Sequence, residues 1–165
     1  MIKIMHRTKL ALIGAGTIGK RHLKALSDVE EADLTAVVDT NPKVEKVALD
    51  RKVPFFTSTE VMLREREPAG VIVCTPTEVH LEPVLSSLES KAHVLVEKPI
   101  TSTLAEGKKI RVEVAVARMS LVGAVDTVDA WARFIGEFSR FEETASLIPI
   151  AREREAAAWY RDRTL

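Results

Sequence analysis

The spacing of apolar positions changes several times along the chain, and each change marks an element. An apolar run over Lys9–Ile13 leads straight into glycines at 14, 16 and 19. Thr17–Ser27 then carries Ile18, Leu23 and Leu26 on one side, the pattern of a helix following a strand. A second apolar run, Leu34–Val38, ends on Asp39. Asn41-Pro42 is a helix start, with Asn as the cap and Pro at the first position, and that helix is expected to run to about Asp50. Val53–Phe56 is a short strand, and Ser58-Thr59-Glu60 opens a helix that ends near Pro68-Ala69-Gly70. Val71–Cys74 is apolar on both faces, as a strand inside a parallel sheet requires. Thr75-Pro76-Thr77 is a turn, Thr77 or Glu78 leads a helix to about Ser90, His93–Val96 is another strand, and Thr103 to about Val116 another helix.

This alternation predicts an α/β fold of Rossmann type. It is a doubly wound parallel sheet with helices on both faces and right-handed crossovers. Ligands of such sheets bind outside the carboxyl ends of the strands, and Gly14, Asp39, Thr75 and Glu97-Lys98 all fall there. The turn Gly14-Ala15-Gly16-Thr17-Ile18-Gly19 has the spacing of a diphosphate cradle. Gly14 permits the tight exit from the strand, Gly16 lets a pyrophosphate approach the backbone, and Gly19 lets the helix lie on the sheet. N–H groups near Thr17 and Ile18, with the helix dipole behind them, then face the phosphates. Asp39 is placed to accept hydrogen bonds from the adenosine ribose. Its charge favours NAD over NADP, although NADP stays open, and an ordinary strand-to-helix turn is the bland alternative.

Length and charge narrow the field. The 165 residues suit one domain, or one with a small appendage. Lys+Arg and Asp+Glu both number 24, which argues against a nucleic-acid or membrane-surface binder. One cysteine, Cys74, fits a reducing cytoplasm. Met1–Arg7 lacks the apolar core of a signal peptide, Met5 is an alternative start, and no stretch approaches a membrane span. All 11 lysines lie at or before Lys109, whereas the last 56 residues hold eight arginines and most of the aromatic residues. The expected division is therefore 1–119 as a dinucleotide-binding domain and 120–165 as a helical tail.

Three segments resemble the Gfo/Idh/MocA oxidoreductases, the glucose–fructose oxidoreductase and inositol dehydrogenase family. They are Gly19-Lys20-Arg21-His22, Thr75-Pro76-Thr77 with His80, and Lys91–Ile100, whose Glu97-Lys98-Pro99 is the most specific. The resemblance implies an NAD(P)-dependent oxidation of a secondary hydroxyl of a sugar, cyclitol or related compound, or the reverse reduction. It implies Lys98 beside the nicotinamide and the substrate hydroxyl. Glu97, Thr75, Pro76 and Thr77 would line the nicotinamide ribose region, and His80 would touch the cofactor or support that wall from behind. No metal is implied.

Blander roles compete. Glu97-Lys98 can be a solvated pair, and His22 a packing or supporting residue. His93 and Cys74 read as packing residues and His6 as solvent-exposed. Members of the family are much longer, and their second half supplies the substrate pocket and a catalytic His. The segment Asp126–Glu137 faintly resembles the helix carrying that His, which places Asp126 at its position and Leu147-Ile148-Pro149 in a scrap of the next strand. The tail is alternatively an unrelated helix pair, Val122–Phe141 and Ile150–Arg161, or the product of a truncated or frame-disrupted gene. Function accordingly divides between an oxidoreductase, a non-catalytic dinucleotide-binding module, and a fragment with no role of its own. Apolar sheet or tail surface would support a homodimer.

Overall fold

The structure is a computed structural model that describes residues 7–163, except for the side chains of 121, 122, 124, 159, 160, 162 and 163. His6 and Met5 lie outside the described residues. Packing divides the chain into two compact units, one through Leu104 and one from Ala105.

The first unit is a five-stranded sheet in the order β3-β2-β1-β4-β5, every neighbouring pair parallel. Its strands are β1 (Thr8–Ile13), β2 (Ala32–Val38), β3 (Phe55–Phe56), β4 (Gly70–Val73) and β5 (His93–Val96). Helices α1 (Thr17–Leu26), α2 (Lys46–Leu49), α3 (Thr59–Arg66) and α4 (Leu81–Glu89) connect them. The order reverses between β1 and β4, the point from which the right-handed crossovers usual for parallel strands send helices to opposite faces. Leu12, Leu23, Val37, Ala48 and Ile72 meet in one core beneath this reversal.

Local chemistry accounts for most boundaries. Asn41 accepts the Lys43 N–H at 3.1 Å, but the turn it caps is a 3-10 segment, Pro42–Val44, and only Lys46–Leu49 is α-helical. Ser58 caps α3 by accepting from Val61 N–H, and Glu67 ends it in the left-handed region at φ 43°. The helix expected from Thr77 begins as a 3-10 turn, Thr77–Val79, before α4. β5 is the outer strand, so its residues alternate between exposed and half-buried, and His93 is exposed rather than packed.

The second unit is all helical: α5 (Leu104–Val125), α6 (Val128–Phe138), a 3-10 segment Glu142–Leu147, and α7 (Ile148–Arg163). Ala115, Ala130, Trp131, Phe134, Phe138, Ala151 and Ala158 form its core. This departs from the expected helix pair in three ways. The helix expected to stop near Val116 continues to Val125 and packs Val114, Ala115 and Met119 with the aromatic residues that follow it. The expected Val122–Phe141 helix breaks at Asp126, which sits at φ 49°, and Thr127 restarts it by accepting from Ala130 N–H at 3.3 Å. Leu147-Ile148-Pro149 is helical rather than a strand, because α7 begins at Ile148.

Candidate functional site: a backbone cradle at the sheet reversal

Strand register builds the site. Ile13 pairs with both Val38 and Val73, and Val73 pairs with Val96. The residues that follow, Gly14, Asp39, Cys74 and Glu97, therefore leave the sheet along one row. Backbone bonds extend the ladder one residue further: Gly14 N–H donates to Val38 O at 2.8 Å, Cys74 N–H to Ile13 O at 2.7 Å and Glu97 N–H to Val73 O at 3.0 Å.

The glycine turn is shaped by contacts no side chain could survive. Gly14 has φ +94°, and a Cβ there would lie 2.6 Å from Cys74 C and Thr75 N. A Cβ on Gly19 would lie 2.0 Å from the Gly14 carbonyl oxygen, so the first turn of α1 rests directly on the loop. At Gly16 a Cβ would meet nothing within 4 Å, so the loop faces open space there. Thr17 and Ile18 are exposed in the first turn of α1, which has neither a side-chain cap nor an acidic residue. An uncapped helix terminus with bare backbone before it is chemically fitted to a diphosphate.

Asp39 turns toward this loop. Its Oδ2 accepts from Ala15 N–H at 2.8 Å and its Oδ1 from Asn41 N–H at 2.9 Å. Each carboxylate oxygen retains a lone pair, so the group can still accept from ribose hydroxyls.

On the other side of the reversal, Thr75 and Thr77 are half-buried and Pro76 is exposed. Glu97 is held from across the sheet: its Oε1 lies 2.7 Å from His22 Nε2 on α1, and its Oε2 accepts from Lys98 N–H at 3.1 Å. The His22 hydrogen bond, followed by that of the Lys98 amide, keeps the Glu97 carboxyl below its usual range. Lys98 is exposed, and its ammonium has no hydrogen-bond or ion-pair partner among the described residues. Cys74, in this row, is pushed up to about 11 by burial and then by the Glu97 charge, which disfavours its thiolate at neutral pH.

Two more of the expected site residues are held by internal partners. His80 is 1% exposed, with Nε2 2.8 Å from Thr75 O and Nδ1 3.2 Å from the carbonyls of Pro99 and Ile100. Both ring nitrogens face main chain, so His80 ties the Thr75 loop to the Lys98 loop and offers nothing to a cofactor directly. Asp126 is the second. Its Oδ1 accepts from Trp131 Nε1–H at 2.8 Å and its Oδ2 from Arg161 at 2.5 Å, all within the helical unit. The Trp131 bond leads the groups that hold its carboxyl below the usual range, and with the Arg161 pair it ties Asp126 to helices of its own unit. Conversely, His22 belongs to the site more closely than its sequence suggested; a partner 75 positions away leaves no local signal. Among the described residues no group of three or more His, Cys, Asp or Glu is placed to hold a metal ion.

Fold and site together define a dinucleotide-binding Rossmann domain. The family described as oxidoreductases with an NAD-binding Rossmann fold matches residues 8–124, and the chain belongs to that Gfo/Idh/MocA family. Glucose-6-phosphate 3-dehydrogenase of Bacillus subtilis is 34% identical over 99 residues, covering 59% of this chain and 28% of that protein. Inositol 2-dehydrogenase 1 of Paenarthrobacter aurescens is 30% identical over 146 residues, covering 85% of this chain and 43% of that protein. Among solved structures, the WlbA dehydrogenase of Bordetella pertussis, in complex with NADH and UDP-GlcNAcA, superposes with a TM-score of 0.65 at 25% identity, covering 67% of this chain and 34% of that one. The chain spans less than half the length of these relatives.

Proposed function

We propose that this chain is the cofactor-binding part of an oxidoreductase that passes a hydride between NAD and a secondary alcohol of a sugar or cyclitol. One observation carries the reading: the cradle at 14–19, the carboxylate of Asp39 and the ammonium of Lys98 all leave the same edge of the sheet, in strand register. Gly14, Gly16, Thr17, Ile18 and Gly19 hold the diphosphate, and Asp39 the adenosine ribose. Thr75, Pro76, Thr77 and Glu97 line the nicotinamide side, with His80 and His22 supporting it. NAD, when bound, supplies the hydride acceptor. Lys98 supplies what the departing hydride demands. Oxidation of the alcohol sends hydride from its carbon to the nicotinamide and the hydroxyl proton to water, and the Lys98 ammonium stabilises the negative charge that develops on the oxygen between. Titration of the purified chain with NADH tests the first claim. NAD reduction with a panel of polyols and sugars, lost in Lys98→Ala, tests the second. Saturable NADH binding is expected, and a folded chain that ignores NADH refutes the reading.

A second reading is favoured by the ion pair at Asp126. With that carboxylate engaged by Trp131 and Arg161, Asp126 is not free to serve as a base, and the chain then acts as a cofactor-binding module that another chain completes. Binding without turnover supports this reading, and steady turnover by the chain alone rejects it. The match to inositol 2-dehydrogenase 1, at 85% of this chain, necessarily enters residues 120–165. That supports kinship of at least the start of the helical unit with that relative over an unrelated addition. The open edge of β5, with Leu95 51% and Ile100 55% exposed, supports self-association, which sedimentation velocity would detect as a dimer.

A further inference from the structure

The turn after α2 holds an apolar side chain out in water. Leu49, the last residue of α2, is 64% exposed, although Val47 and Ala48 beside it pack into the core beneath the sheet reversal. The turn is held by its own backbone. The N–H groups of Arg51 and Val53 donate to Ala48 O at 3.0 and 3.1 Å, and that of Lys52, at φ 57°, donates to Leu49 O at 3.0 Å. Leu49 is thus flanked by cations, with Lys46 one helical turn before it and Lys52 just after it. Lys46 pairs with Asp50 at 2.8 Å and Arg51 donates to Leu23 O, but the Lys52 ammonium has no hydrogen-bond or ion-pair partner among the described residues. Residues 46–52 therefore present three cations, one carboxylate and one bare leucine.

A crevice of about 450 Å³ between α3 and α4 has the opposite character. Its buried lining is apolar, Leu63 and Pro68. Its exposed lining sets Glu60, Glu67 and Glu89 against one cation, Arg64. Glu60 accepts from Ser58 Oγ at 2.6 Å, and the carboxylates of Glu67 and Glu89 have no hydrogen-bond or ion-pair partner among the described residues. Glu67 and Ser90 cap the carboxyl ends of α3 and α4, so the negative ends of both helix dipoles meet the crevice as well. No residue of the turn after α2 lines this crevice, so a chain does not fill it with its own turn.

We propose that the Leu49–Lys52 turn of one copy of this chain seats in the α3–α4 crevice of a second copy. Leu49 then meets Leu63 and Pro68, and Lys46 and Lys52 meet the three carboxylates, so shape and charge are matched together. The contact is heterologous, because turn and crevice are different surfaces, and each copy keeps one of them free for a further copy. It uses neither the glycine cradle nor the open edge of β5, and it stands independently of the cofactor reading.

Sedimentation velocity of the full chain tests this, with a turn variant, Leu49→Glu/Lys52→Glu, and a crevice variant, Glu67→Lys/Glu89→Lys. Wild type should show a mass that rises with concentration past the dimer, with association at least about tenfold weaker at about 500 mM salt than at about 50 mM. Each variant alone should lose this association. Their equimolar mixture should recover one contact and stop at a one-to-one complex, because the crevice variant keeps an intact turn and the turn variant an intact crevice. Two folded variants that stay apart when mixed overturn the proposal. So does wild-type association that ignores salt and survives both variants, which belongs to the β5 edge instead. Wild type that stays monomeric up to about 1 mM also overturns it and leaves the crevice to a basic segment of another protein. All four replaced side chains are exposed and make no hydrogen bond or ion pair among the described residues, so circular dichroism melts of the variants should match wild type. Lys52→Gln, the mildest change, should weaken association about threefold, and no change there overturns the role of that ammonium.

Discussion

The two units of this chain use polar groups in opposite ways. In the sheet unit the polar groups at the strand ends stay available: an uncapped helix start at Thr17, a carboxylate at Asp39 with acceptor capacity to spare, and an ammonium at Lys98 with no hydrogen-bond or ion-pair partner among the described residues. In the helical unit the polar groups close on each other. Asp126 takes Trp131 and Arg161, Glu143 takes Arg111 at 2.5 Å, and buried Thr144 donates to Phe138 O at 2.7 Å. Arg111 also stacks over Phe141, 4.1 Å from the ring centroid. The contrast is the difference between a surface kept ready for a ligand and one whose charges staple helices together. It also gives meaning to the compositional break. Arginines take over in the helical unit, where planar guanidinium groups of Arg111 and Arg161 brace carboxylates and a ring.

The comparison can be broken most severely at Gly19. Gly19→Ala sets a Cβ 2.0 Å from a carbonyl oxygen, so the loop or α1 must move. A loss of about 3 kcal/mol or more from the sheet unit is expected, with NADH binding abolished. Both tryptophans lie in the helical unit, so their fluorescence should unfold along an unchanged denaturant curve. A matching shift would show that the two units melt as one.

The mirror-image experiment is Phe134→Ala. Phe134 is 1% exposed and stacks 4.9 Å from Phe138 and 6.2 Å from Trp131. Truncation should cost the helical unit about 3–5 kcal/mol, enough to unfold so small a unit at room temperature. NADH affinity of the sheet unit should stay within about twofold; a larger loss would mean that the helices contribute to cofactor binding.

A smaller effect is expected at the Glu97 clamp. His22→Ala removes the 2.7 Å contact and frees the loop carrying Lys98, and NADH affinity should fall about three- to tenfold. His22→Gln, which keeps a donor, should recover part of it. Isothermal titration of both variants decides this, and an Ala variant indistinguishable from wild type would make the contact incidental.

The least effect is a pH signature. Asp126 titrates below its ordinary 3.8 in the folded helical unit, so its contribution to stability is complete above that value and disappears as pH falls through the lower folded value. Asp126→Asn should destabilise the helical unit at pH 7 and lose its disadvantage progressively below about pH 4, read from paired thermal melts. Activity that tracked this substitution at neutral pH, with stability unchanged, would revive Asp126 as a catalytic group.

Much of the sheet unit was legible along the chain because its determinants are local. A glycine turn after an apolar run, Asn41 and Ser58 as caps, and a continuous apolar run for β4 each act within a few residues. The site's second half was less so. His22 and His80 are alike in the sequence, a lone His in each of two expected helices, and nothing nearby separates a ring that clasps a carboxylate from one that meets three carbonyls. The helical unit was the least legible. Its break depends on one residue, Asp126, adopting φ 49°, held there by partners five and 35 positions away.

The amino-acid order alone determined the alternation of strands and helices, the glycine cradle, and the set of residues that reach the ligand edge, because turn chemistry and apolar periodicity act over short stretches. Which of those residues face the ligand, which brace a loop, and which fasten helices was decided only by folding. Strand register set Gly14, Asp39, Cys74 and Glu97 in one row, and tertiary contacts engaged His80 with main chain and Asp126 with Trp131 and Arg161, while the Lys98 ammonium has no hydrogen-bond or ion-pair partner among the described residues.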